Sequence, residues 1–179
     1  MIVGHVGVAA AARSAWRRTS LPWLLVACAA PDLVDITLAI AGVCNPYGLY
    51  SHTVHAAALL AAVIGGVALL VTGSRATAAA SALMVILHLP LDLVTGHKIF
   101  WPGGPMMGLD VYRQPILDFA IEAPILLAGW TLLRRSRNAP PWATSVLALW
   151  LLLAGQAVID LAVRDGAKPS ACLAQVRAP

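Results

Sequence analysis

The chain has 179 residues, of which 60% are hydrophobic and 11% charged, with a mean hydropathy of +0.81. Soluble globular domains carry about 25% charged residues, so this composition excludes that class and fits one integral-membrane domain over 1–179. The net charge is +4, but the twelve basic residues are scattered between apolar runs. They form no nucleic-acid stripe and are read as topology-setting charge.

A spanning helix needs about 20 mainly apolar residues. Apolar segments at 2–16, 21–43, 52–73, 76–96, 114–133 and 142–163 predict an all-α fold. The expected architecture is a polytopic transmembrane helix bundle, five long helices plus a short N-terminal helix. In the first segment the arginines follow the apolar stretch, the reverse of a cleaved signal, so it reads as a short mature helix. Gly, Pro, Asn or charge clusters punctuate the gaps: Arg17-Arg18, Asn45-Pro46, Gly73-Ser74-Arg75, Trp101 to Pro105 and Arg134 to Pro141. The Ala-rich stretch 76–82 suits close helix packing.

Loop charges set the expected orientation. Arg13, Arg17, Arg18, Arg75, Arg134, Arg135 and Arg137 fall on one side, and Lys98, Arg113, Arg164, Lys168 and Arg177 on the other. The first set flanks its helices more tightly and is placed in the cytoplasm, which puts both termini outside. With that topology the ionisable residues converge at similar depth in the outer half. They are His5, Asp32, Asp35, His52, His55, His88, Asp92, His97, Asp118, Glu122 and Asp160.

A carboxylate inside a spanning helix costs roughly 2.5–3.5 kcal/mol on insertion scales, so several together call for a compensating partner. Asp32/Asp35 and His52/His55 are i,i+3 pairs and His88/Asp92 is an i,i+4 pair, spacings that share a helix face. Imidazoles and carboxylates on facing helices are a ligand set for zinc or a similar divalent ion. Each member has a plainer reading by itself. His5 reads as an interfacial or hydrogen-bonded residue, His88 with Asp92 as a hydrogen-bonded pair, and Asp32 after Ala30-Pro31 as a helix cap. Asp118 and Glu122 read as partners of Arg113 or another positive group, and Asp160 as reaching water. Taken together at one level they favour a metal site.

Four segments resemble, in order, the YdjM-like family of membrane-bound metal-dependent hydrolases. His88-Leu89-Pro90-Leu91-Asp92-Leu93-Val94-Thr95-Gly96, followed by Phe100-Trp101-Pro102, is similar to the family's His-x-x-x-Asp helix and Trp-Pro exit. Gly4-His5 resembles its N-terminal Gly-His, Ala30 to Asp35 its Pro-Asp-x-Asp motif, and Tyr50-Ser51-His52-Thr53 its Thr-His-Ser segment. The resemblance covers about residues 4–102. Two residues separate the aspartates here where the family has one, which leaves Asp32 or Asp35 as the ligand. The family's His-Arg-Gly is absent, and His55 either replaces its histidine or only hydrogen-bonds. His97 has no counterpart in the pattern. The His-x-x-x-Asp motif is also distantly similar to the zinc phospholipase C and single-strand nuclease superfamily.

The resemblance implies a multi-pass membrane protein with one or more Zn2+ ions, and the loop charges put that site on the extracytoplasmic side of what is expected to be a bacterial plasma membrane. The implied ligands are His5, Asp32 or Asp35, His52, His88 and Asp92, with His55 as a further candidate. A zinc-activated water would be the nucleophile, with Asp35 or Glu122 as general base or bridging carboxylate. Lys98, Tyr112 and Arg113 suit an anionic lipid headgroup, Arg113 as phosphate clamp and His97 as proton donor. Interfacial snorkelling is the plainer reading of Lys98 and Arg113. The expected partners are membrane lipids and a lipid-linked substrate. Competing readings are a metal- or proton-coupled transporter and a structural subunit with a polar network. Cys44 and Cys172 both fall outside and either pair as a disulfide or stay free thiols, while Cys28 lies inside the second segment.

Overall fold

A computed structural model describes residues 2–137 and 139–166, with side chains placed through residue 162. It is all-helical apart from one two-residue hairpin. The helices are α1 (Val3–Ala15), α2 (Leu21–Cys28), α3 (Ala30–Ile40), α4 (Val54–Thr72), α5 (Arg75–Thr95), α6 (Pro115–Arg134) and α7 (Val146–Gly166). Three of them, α4, α5 and α6, are long and apolar enough to cross a membrane, and α7 adds the apolar stretch Val146–Ala162. Cys172, the candidate partner of Cys44, lies outside the described residues.

The predicted helix over 21–43 is two helices. They meet at Ala29 and are bent by 59°. Pro31 stands in the first turn of α3, where its missing N–H is tolerated, but it cannot continue the ladder of a preceding helix. The pair passes as a single broken span or as a re-entrant loop. The other helix limits follow local chemistry. Thr53 Oγ1 accepts the Ala56 amide at 3.2 Å, Ser74 Oγ accepts the Thr77 amide at 3.2 Å, and Gly73 ends α4 at φ +63.

Small residues set how closely the helices pack. On α4 the buried positions Ala57, Ala61, Gly65 and Ala68 recur at helical spacing, and a Cβ on Gly65 would lie 3.2 Å from the Ala78 carbonyl oxygen on α5. The Ala-rich 76–82 stretch therefore serves close packing, as its composition suggests. Helices α1 and α6 approach even more closely. A Cβ on Gly7 would stand 2.5 Å from the Ile125 carbonyl oxygen, and one on Gly129 would overlap the Gly7 carbonyl oxygen. In a bilayer such backbone-to-backbone packing replaces the hydrophobic drive that water would supply.

Between α5 and α6 the chain forms β1 (Lys98–Ile99) and β2 (Met106–Met107), paired antiparallel, and a 3₁₀ turn at Val111–Arg113. This segment folds back over the helix ends. The Leu109 amide donates to the Leu93 carbonyl at 2.9 Å, and the Val54 amide to the Phe100 carbonyl at 3.0 Å. The end of α5 and the start of α4 thus meet under one cover.

Gly129→Val should push α1 off α6 and destabilise the protein by about 1–3 kcal/mol or more, as overpacking does. Thermal unfolding in detergent checks it, with exposed Gly66→Val on α4 as the tolerated comparison.

Candidate metal centre

The break at Ala29 has a chemical consequence. Cys28 is the last residue of α2, so its carbonyl belongs to the set that finds no partner in its own helix. His88 Nδ1 lies 2.7 Å from that oxygen. A carbonyl can only accept, so Nδ1 carries the proton and Nε2 is left as the lone-pair nitrogen of the neutral ring.

His52 is oriented by a different device. It lies before α4, in a turn in which Gly48 adopts φ +76, and a Cβ on Gly48 would stand 2.9 Å from His52 Cβ. Nδ1 of His52 is 2.7 Å from Ser51 Oγ and 3.4 Å from Asp35 Oδ2. Asp35 in turn accepts from Ser51 Oγ and, at 2.5 Å, from Asn45 Nδ2. A carboxylate behind a histidine ring fixes its tautomer and raises its basicity as a ligand.

The two Nε2 atoms then face each other at 3.1 Å. Asp92 Oδ2 is 3.0 Å from His52 Nε2 and 3.5 Å from His88 Nε2, and Asp32 Oδ1 is 3.5 and 3.6 Å from the same two nitrogens. Tetrahedral bonds of about 2.0–2.2 Å would hold ligand atoms about 3.3–3.6 Å apart, so these separations suit a first-row divalent ion. Asp32, His52, His88 and Asp92 form a group that could hold a metal ion. His52, His88 and Asp92 are buried, whereas the Asp32 side chain is 41% exposed. Burial pushes the His52 pKa down, but hydrogen bonds to Asp32 and Asp92 outweigh it and hold it above its ordinary value. The field that favours a proton there also favours a metal cation.

The candidate residues read from the sequence do not all fall in one place. Asp32, His52, His88 and Asp92 converge: Asp32 faces the two nitrogens, while Asp35 lies on the other side of the His52 ring, against Nδ1. His5 stacks on His88 with ring centroids 4.0 Å apart, and its Nε2 is 3.8 Å from Asp92 Oδ1. It adjoins the four without being one of them. His55 is a correction. Helix α4 begins only at Val54 with Thr53 as its cap, so the i,i+3 rule does not link His52 to His55. His55 is exposed and lines an apolar cavity instead.

Glu122 is a second correction. Its Oε2 accepts the amides of Ile2 at 2.7 Å and Gly4 at 3.0 Å, capping the start of α1. Its Oε1 accepts from Gln156 Nε2 at 3.2 Å, and the same nitrogen reaches Asp118 Oδ2 at 3.4 Å and Asp160 Oδ1 at 2.5 Å. Glu122 therefore belongs to a buried polar cluster that ties α1, α6 and α7, separate from the four convergent groups. Gln156, Asn45 and the Cys28 carbonyl carry no signal in the sequence, since none belongs to a recognisable ligand pattern, whereas Ser51 stands beside His52 in the Tyr50 to Thr53 segment.

His97, Lys98, Tyr112 and Arg113 line a polar cavity of about 400 Å³ together with Asp35 and Asp110. Lys98 Nζ is 4.0 Å from Asp92 Oδ2, and His97 Nδ1 is 3.3 Å from the Gly108 carbonyl. The Arg113 side chain is 83% exposed, with Nε 2.6 Å from Asp110 Oδ2. Among the described residues the non-glycine positions at positive φ are Tyr47 and Asp110, and both line this cavity.

Scans against family models, curated proteins and solved structures give no match.

Zinc titration of detergent-purified protein tests the assignment. His88→Ala and Asp92→Asn should abolish stoichiometric binding, Asp35→Asn should weaken it by about 10–100-fold, and His55→Ala should leave it unchanged. Glu122→Ala, which uncaps α1, should lower stability by about 1–3 kcal/mol while zinc stoichiometry persists; loss of zinc in a still-folded Glu122→Ala would return Glu122 to the centre.

Proposed function

We propose that the protein is a membrane-embedded, metal-dependent hydrolase acting on a lipid-linked phosphoester at the extracytoplasmic face. The observation that carries this reading is the position of the four-residue group: three ligands are buried, and the half-exposed fourth, Asp32, leaves an accessible side. The resemblance to the YdjM-like family points the same way. A divalent ion held there, Zn2+ by the donor set, would supply Lewis acidity and activate a water near neutral pH.

The remaining steps fall to residues of the chain. Lys98 sits between the centre and the polar cavity, placed to attract phosphate oxygens. Arg113 would exchange its exposed pairing with Asp110 for a bidentate hold on phosphate. Asp35, which lines the same cavity, is the proposed proton acceptor, and His97 the donor to the leaving group. Tyr47 and Asp110, held in a conformation that costs non-glycine residues energy, support a functional reading of the cavity wall. The loop-charge bias, with the arginine-rich ends opposite the centre, supports the outward orientation.

A metal- or proton-coupled transporter is the second reading, and one observation favours it. Broken helices with backbone carbonyls at the break mark many transporter ion sites, and α2–α3 breaks beside Asp32 with the Cys28 carbonyl turned to His88.

Protein in lipid nanodiscs, given long-chain phosphatidic acid and related lipid phosphoesters with zinc, should release the headgroup or phosphate. His88→Ala should abolish the release, and Asp35→Asn should lower it by about 10²–10⁴-fold. Release that survives His88→Ala would reject the reading, and zinc-dependent uptake into sealed vesicles without hydrolysis would replace it with transport.

A further inference from the structure

Two apolar cavities lie along α3 and α4, of about 290 and 490 Å³. They share Val34 on α3 and Leu60 on α4, so they adjoin between the two helices and are taken together as a groove. The groove adjoins polar residues along both walls. Val34 lines it while the next residue, Asp35, lines the polar cavity. Thr53 lines it while the preceding residue, His52, is one of the four convergent groups. The connecting turn repeats the pattern: Tyr47 and Gly48 line the polar cavity, and Leu49 and Tyr50 line the groove. Consecutive Cα atoms are about 3.8 Å apart, so the linings of the apolar and polar compartments adjoin at two steps of the chain, Val34–Asp35 and Gly48–Leu49.

We infer that this groove holds the hydrocarbon tail of a lipid whose anionic headgroup occupies the polar cavity. The inference rests on the reading above and narrows it to a substrate class: a long-chain lipid phosphate that enters sideways from the bilayer. The polar cavity carries Lys98 and Arg113, which complement a phosphate, and the groove beside it offers a tail almost no polar surface. Neither compartment by itself calls for a lipid; their approach at Val34–Asp35 and Gly48–Leu49 does. The bend at Ala29 directs α3 away from the line of α2, and the groove opens along the side of α3 that faces α4. Headgroup and tail would thus lie on either side of the Val34–Asp35 and Gly48–Leu49 steps, with the ester linkage crossing between them.

Val34→Phe and Leu60→Phe fill the groove from its two walls without touching the metal group. They are compared with the unaltered full chain in nanodiscs on two probes, dioleoyl phosphatidic acid and its short-chain dihexanoyl analogue. The expected result is a fall of about tenfold or more in kcat/KM for the long-chain probe, with the short-chain probe within about twofold. A second readout needs no turnover: native mass spectrometry of zinc-chelated protein should show one retained dioleoyl phosphatidic acid, lost in both variants. Retention lost in the variants while the unaltered protein shows no hydrolysis supports the groove and rejects the hydrolase. Hydrolysis that depends on His88, with neither retention nor chain-length preference changed by filling the groove, overturns the groove and leaves the hydrolase standing. Equal loss on both probes also overturns it, because a tail site must discriminate by tail. Should Val34→Phe fail to fold, Leu60→Phe on the opposite wall carries the same comparison.

Discussion

The hydrogen bond from His88 Nδ1 to the Cys28 carbonyl is the contact on which the geometry of the centre depends. It exists because α2 stops one residue before Ala30-Pro31, which releases a carbonyl inside the bundle. That oxygen needs a donor, since an unpaired carbonyl away from water costs several kcal/mol in lipid. His88 supplies the donor and is thereby committed to presenting Nε2 on its other side. The backbone defect and the lone pair are two ends of one arrangement. His52 reaches the same state by a side-chain route, with Ser51 and Asp35 behind its Nδ1.

The convergent groups also need the helices that bear them to stay close. Helices α4 and α5 lie together because Ala57, Ala61, Gly65 and Ala68 face α5, and this brings the turn before α4 level with the last turns of α5. Helix α1 delivers His5 against His88, and α1 is itself pinned by Gly7 against α6 and by Glu122 at its first turn. The polar cluster of Asp118, Glu122, Gln156 and Asp160 thus serves the centre at a distance, by fixing the helix that supplies a neighbouring ring.

Much of the architecture is legible in the chain. Apolar run lengths mark the helices, loop arginines separate the two ends, and His88 with Asp92 follows from i,i+4 spacing inside one long helix. Expectation and structure part where a helix boundary is misplaced. Reading 21–43 as continuous hides the free carbonyl at Cys28. Starting the next helix at 52 pairs His52 with His55 across a boundary that Thr53 creates by capping. The distinction between Asp32 and Asp35 is out of reach because both occupy one face, and only the placement of the His52 ring separates them. Glu122 looks like part of the centre because depth is readable from sequence, whereas position around the bundle is not. The Lys98 hairpin carries no strand pattern to announce it.

The parallel contact of α1 with α6 bears on how such a chain is made. Ile2 and Gly4 bond to Glu122 across separations of 120 and 118 residues. During synthesis the first helix emerges long before its neighbour, and its amides and the Gly7 surface meet their partners only when α6 arrives. The stretch from Asp32 to Asp92 can gather its four convergent groups early, from α3, the turn before α4, and α5. His5 likewise meets His88 only once α5 has packed against α1, so the first helix contributes to the centre through a neighbour made after it.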